Sequence, residues 1–281
     1  MQQMISTQIK RQNTRRLLGA VLVLGWTLVM GGGAVAAEAP RIQGELTILA
    51  AASLTDAFEE MAAVIEQANP GTKLAFNFAG SLTLRTQLAQ SARADVFASA
   101  DEPNMSGAEN DGTILGEPRI FARNLLVVVV PATNRAGIKT LQDLAKPNLK
   151  LVLTHKDVPV GNYARQALET MSHDPAFGHD FATRALANLV SEETNVRQVA
   201  SKVQLGEADA GIVYATDVTP AIRPTVQVIE IPPAFNVTAK YPIAVVKGTR
   251  NEAGARAFIE YTLSPAGQAI LERHGFLGAG S

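Results

Sequence analysis

Four points in the chain offer the same chemistry. Ser53 stands where the apolar run 47–52 gives way to helical spacing, with apolar residues at 54, 57, 58, 61, 62 and 65. Ser81 opens the helix-type segment 82–88 after the strand-type segment 73–78. Val160 follows Val158-Pro159 and leads a helix with Tyr163, Ala164, Ala167, Leu168 and Met171 on one face. Val196 follows Asn195 and leads a helix carrying Val199, Ala200 and Val203. The first turn of a helix holds backbone N–H groups with no partner inside it, at the positive end of the dipole. Placed at the carboxyl end of a strand, such a turn is where open α/β sheets bind anions. If the four starts converge, they form a wall of N–H and hydroxyl donors that needs no cation. That wall suits a fully ionised oxyanion, whose oxygens only accept; a protonated phosphate brings an O–H that needs an acceptor. Taken singly, each start also reads as an ordinary strand-to-helix junction. Ser53 with Asp56 then forms a capping-box-like pair, and Asn195 with Gln198 another.

The elements that would position these residues alternate. Strand-type runs at 47–52, 73–78 and 95–101 are each followed by a helix-type segment, the mark of a parallel sheet covered by helices. Residues 125–131 are the most apolar strand of the chain, and 150–154, 187–190, 208–214, 226–231 and 241–246 read as further strands. The last 30 residues are helical, with a break at Ser264-Pro265. Strands 125–131 and 241–246 flank the middle section and serve as the two crossovers of a chain that leaves one domain and returns. The fold class is therefore α/β: two Rossmann-like domains with a ligand cleft between them. Residues 38–124 plus 241–281 form domain 1, and residues 125–240 form domain 2.

Residues 1–37 read as a secretory signal peptide. Lys10, Arg11, Arg15 and Arg16 precede an apolar stretch at 17–35, and Ala34-Val35-Ala36 is a small-residue cleavage site. Its removal leaves 21 basic against 26 acidic residues, a formal charge of −5, which argues against a nucleic-acid partner. The absence of cysteine excludes disulfides, thiolate metal sites, a cysteine nucleophile and a lipid anchor. The expected product is a monomer free in the periplasm. No Gly-x-Ser-x-Gly elbow, Gly-rich phosphate loop or His-Glu-x-x-His occurs, and His155, His173, His179 and His274 lack metal-binding spacing, so no enzyme is expected. Tyr163 and Tyr214 are far apart in sequence and Tyr241 stands elsewhere, which speaks against a tyrosine-rich ferric site.

Five motifs in order resemble those of periplasmic molybdate-binding proteins, the substrate-capture subunits of molybdate ABC transporters, of the type II periplasmic binding protein superfamily. They are Ala50-Ala51-Ala52-Ser53-Leu54, Phe78-Ala79-Gly80-Ser81-Leu82-Thr83-Leu84, Val158-Pro159-Val160-Gly161-Asn162-Tyr163-Ala164, Asn195-Val196-Arg197 and Gly211-Ile212-Val213-Tyr214-Ala215-Thr216-Asp217. The resemblance implies that Ser53 and Ser81 bind through hydroxyl and N–H, Val160 and Val196 through N–H, and Tyr214 through its hydroxyl. It implies molybdate or tungstate as the ligand, no cofactor, no protein atom bonded directly to the metal, and a membrane permease as partner. Sulfate or another tetrahedral oxyanion is the alternative ligand. Valine at 160, where alanine is common, suits a backbone contact; glycine at 80, where serine often stands, is expected to loosen its loop.

Overall fold

The computed structural model describes residues 42–280; the leader read at 1–37 lies outside the described residues. Among the described residues, no helix is long and apolar enough to cross a membrane. The chain opens with β1 (Glu45–Ala51), a 3₁₀ turn at Ala52–Leu54, α1 (Thr55–Ala68), β2 (Lys73–Ala79), α2 (Ser81–Ala89), β3 (Val96–Ala98) and α3 (Glu102–Asn110). It continues through β4 (Ile114–Asn124), β5 (Leu126–Pro131), β6 (Leu151–Thr154), α4 (Pro159–Ser172), α5 (Phe181–Leu186), β7 (Leu189–Glu193), α6 (Val196–Gln204) and β8 (Ala210–Tyr214). It ends with β9 (Val226–Glu230), β10 (Ala239–Val246), α7 (Glu252–Leu263), α8 (Pro265–Arg273) and the short β11 (Leu277–Gly278).

Two sheets result. The first has the order β11-β4-β10-β3-β1-β2, with β1 parallel to both β2 and β3 and β10 antiparallel to β3 and β4. The second has the order β7-β6-β8-β5-β9, with β6 parallel to β7 and β8. The chain passes between the sheets twice, at Leu125 and across residues 231–238. Because β1, β2 and β3 run the same way, their carboxyl ends share one edge of the first sheet. The carboxyl ends of β6, β7 and β8 share one edge of the second. A helix or 3₁₀ turn must begin just past each such end, and five of these six points hold a residue the sequence singles out.

Burial explains the strands. Every residue of β5 from Leu126 to Val130 is buried, as expected for an apolar strand with cover on both faces. Helix α1 turns Ala57, Phe58, Met61, Ala62 and Ile65 inward. The Phe58 ring lies 5.8 Å from that of Phe121 on β4 and 5.4 Å from that of Phe258 on α7, so the helix is pinned by residues far along the chain.

The structure departs from expectation in three places. Strands 125–131 and 241–246 are not themselves the crossovers: β5 lies within the second sheet and β10 within the first, where its long partner is β4. The sequence hides β4 because Gly116 and Pro118 interrupt its alternation, and its pairing with β10 is broken by two register shifts. Strand β7 runs over Leu189–Glu193, later than 187–190, since an edge strand has a solvated face that accommodates Ser191 and Glu192.

Candidate functional site

The two strand-end edges face one another across a small cavity. Its lining is Ala51, Ala52, Ser53, Ala79, Gly80, Ser81 and Ala100 from the first sheet's side, and Val158, Pro159, Val160, Asn195, Val196 and Tyr214 from the second's. Ser53, Ser81, Val160, Val196 and Tyr214, the five residues expected at a site, all meet here. No residue of the lining carries a charge. The cavity is small, with an empty space of about 230 Å³ that includes the part open to solvent.

The donors are arranged by local structure. In α4, Gly161 and Asn162 return their N–H groups to the Val158 carbonyl and Pro159 has none, so Val160 supplies the first-turn N–H with no carbonyl behind it. In α6, Asn195 caps the helix by accepting from Gln198 N at 3.2 Å, the expected pair, leaving the Val196 N–H at the open end. In α2, Leu84 N returns to Gly80 O, so Ser81 opens the helix. The Ser81 hydroxyl oxygen accepts from Ala100 N at 3.0 Å, which leaves its proton free. Tyr214 ends β8 with a hydroxyl that is buried and unpartnered. A polar atom buried without a partner costs free energy, and this one belongs to a residue of the cavity lining.

Three expectations are corrected. Ser53 is not a helix cap: it sits inside the 3₁₀ turn before α1, and its hydroxyl lies 2.9 Å from the Tyr241 hydroxyl. Asp56 does not close a capping box: it takes a 2.6 Å hydrogen bond from Arg197 Nη2, reaching from α1 to α6 across the mouth of the cavity. Gly80 does not loosen its loop. A β-carbon there would stand 2.3 Å from the Thr194 carbonyl oxygen, so the glycine lets the two sides approach. Its φ of −65° is open to any residue, so contact and not backbone conformation demands glycine.

Sequence reasoning also passed over Tyr241 and Asn124. The Tyr241 ring stands 5.7 Å from that of Tyr214, although the two looked separate in sequence. Both belong to the site because β10 is antiparallel to β3: its first residues therefore lie at the edge where β3 ends. Asn124 ends β4 on that same edge, paired with Ala239. The signal was topological, and no local motif carried it.

With the geometry in place, comparison with known proteins is informative. Residues 46–277 match the family model of the bacterial extracellular solute-binding proteins. The chain belongs to that family. It is 37% identical over 262 residues to the molybdate-binding protein ModA of Mycobacterium tuberculosis, covering 92% of this chain and 95% of the relative. The periplasmic molybdate-binding protein of Azotobacter vinelandii shares the fold, with a TM-score of 0.71 at 20% identity over 83% of this chain and 98% of that one. The sulfate-binding protein SubI of M. tuberculosis does too, with a TM-score of 0.74 at 18% identity over 83% and 86%. At these identities the structural likeness speaks for architecture alone.

The electrostatics of this binding protein are unusual at one residue beside the cavity. Asp217 is fully buried, accepts from Tyr214 N at 3.1 Å and lies 3.1 Å from Arg197 Nε without the alignment of a hydrogen bond. Burial pushes its carboxyl up to about 7, against the pull of the Arg197 guanidinium and the Tyr214 N–H. An unfolded aspartate ionises near 4, so the folded chain holds a proton there over about pH 4 to 7. The stability from that proton is complete below pH 4 and is lost as pH rises through 7. Asp217→Asn is therefore expected to flatten this part of the profile. Urea denaturation at pH 5 and pH 8 should show wild type losing stability relative to the variant at the higher pH; parallel profiles would contradict the assignment.

Proposed function

We propose that this protein captures molybdate, and also tungstate, in the cavity between its two sheets and delivers it to the membrane permease of an ABC transporter. Ser53, Ser81, Val160, Val196 and Tyr214 are the binding residues, with no protein atom bonded to the metal. The observation that carries the reading is a cavity walled only by neutral residues, on which four helix or turn starts and an unpartnered tyrosine hydroxyl converge. A permanently ionised tetrahedral oxyanion meets a donor at each oxygen. Hydrogen phosphate would bring a proton into that wall with no carboxylate or imidazole to receive it. The 37% identity to a molybdate-binding protein over nearly the whole chain supports molybdate ahead of sulfate. Ferric iron is not favoured, because no carboxylate lines the cavity and Tyr214 is the single tyrosine of its lining.

Capture of this kind uses closure. Residues 38–124 with 241–281, and residues 125–240, are the two lobes, and the ligand is held when both sets of donors reach it. The Arg197–Asp56 contact and the fit of Gly80 against Thr194 support this reading, since each joins the two sides of the cavity. We place the working protein in the periplasm, released from its leader, as a monomer.

Titration calorimetry with molybdate, tungstate, sulfate and hydrogen phosphate tests the function. Molybdate and tungstate are expected to bind one to one, with sulfate and hydrogen phosphate weaker by about a hundredfold or more. Ser53→Ala and Tyr214→Phe should each weaken molybdate by about tenfold. Tight sulfate binding with weak molybdate binding would refute the proposal. A second expectation concerns closure alone. Gly80→Ala sets a β-carbon against the Thr194 carbonyl oxygen and should weaken molybdate by about tenfold or more, with a thermal melt checking that the free variant still folds. Unchanged affinity would show that the two sides need not approach this closely.

A further inference from the structure

Tyr241 lines no part of the cavity, yet its hydroxyl is the partner of a proposed binding residue, and the direction of that hydrogen bond can be worked out. Asn124 lies between two hydroxyls. Its Nδ2 donates to Thr216 Oγ1 at 2.8 Å and to Tyr241 Oη at 3.3 Å, and its Oδ1 accepts from Leu125 N at 3.0 Å. An amide nitrogen has only protons to offer, so Tyr241 Oη accepts from Asn124. Tyr241 is fully buried, and its one other hydroxyl partner is Ser53 Oγ at 2.9 Å. The Tyr214 hydroxyl lies close enough to act on that of Tyr241, but the aligned hydroxyl–hydroxyl bond of Tyr241 is the one to Ser53. The tyrosine proton therefore goes to Ser53. Ser53 Oγ, already accepting, has a single proton left, and the open direction is the cavity that Ser53 lines.

Resting on the molybdate reading, we propose that Tyr241, oriented by Asn124, is a positioning residue that turns the Ser53 hydroxyl into an obligate donor toward the ligand. The chain of bonds runs one way: Asn124 amide to Tyr241 hydroxyl, Tyr241 hydroxyl to Ser53 hydroxyl, Ser53 hydroxyl to an oxyanion oxygen. Hydrogen bonds in series polarise one another, so the last donor is strengthened as well as aimed. A free serine hydroxyl rotates and can accept as readily as it donates. One locked in this way rejects a ligand that carries its own proton. Asn124 also ties Tyr241 on the first sheet to Thr216 beyond the second, which places the relay where the chain crosses between the sheets.

The test is a double-mutant cycle on the full protein, read by calorimetry with molybdate and hydrogen phosphate. Tyr241→Phe keeps the ring that packs against Phe121, Tyr214 and Phe276, so the fold should survive; a thermal melt checks this. In the wild-type background the substitution is expected to weaken molybdate about tenfold and to narrow the preference for molybdate over hydrogen phosphate. In the Ser53→Ala background it should change molybdate affinity by less than about twofold, because the residue it acts through is gone. Asn124→Ala enters the relay from its far end, and its smaller loss should vanish in the same background. Equal losses from Tyr241→Phe with and without Ser53, or no loss at all, would overturn the relay. In either case tight wild-type binding and a weakened Ser53→Ala variant would leave the molybdate reading standing. A wild-type protein that does not bind molybdate would overturn both.

Discussion

The first turn of a helix leaves N–H groups that nothing inside the helix can satisfy, and burying them is costly until something accepts from them. This chain buries several such turns against each other. Parallel pairing puts the carboxyl ends of β1 and β2 on one edge and those of β6, β7 and β8 on another. The connections that follow then begin on those edges. Setting the edges face to face collects donors in a cavity of mostly small, uncharged residues. Much of the local chemistry answers to that constraint: glycine at 80 where a side chain would hold the edges apart, and Arg197 bound to Asp56 at the mouth.

Residues 38–281 are acidic, with a formal charge of −5, and an anion site in such a stretch looks paradoxical. Dipoles resolve it. Partial positive charge at helix ends acts over about one turn, where a lysine would also raise the potential of the surrounding surface. The Arg197 guanidinium beside the cavity faces the carboxyl groups of Asp56 and Asp217 and is not part of the lining. A wall of dipoles also reads protonation state. A full positive charge attracts any anion, whereas oriented N–H and O–H groups reward an oxygen with lone pairs and leave a ligand proton unsatisfied.

Much of this was legible in the sequence. Apolar runs followed by helical spacing announced β1, β2 and β6 with their helices, and the residue at each junction proved to line the cavity. Asn195 with Gln198 was a true cap because both partners lie within one turn. Ser53 with Asp56 had the same spacing and formed no cap, since a 3₁₀ turn intervened and each side chain found a partner far along the chain. Tyr241 and Asn124 were invisible for a related reason. Their place is set by the antiparallel course of β10 between β3 and β4, and β4 is interrupted by Gly116 and Pro118. Local pattern reports what a residue does within its own element; it is silent on what meets it across a cleft.

The central claim is that an oxyanion is held between the two edges by neutral donors alone. A crystal structure of the molybdate complex, with the metal located from its anomalous scattering, tests it most directly. One metal peak is expected in the cavity, with oxygens within about 3 Å of the Ser53 and Ser81 hydroxyls, the Val160 and Val196 N–H groups and the Tyr214 hydroxyl. A peak elsewhere, or an oxygen bound directly by a lysine or arginine side chain, would contradict it.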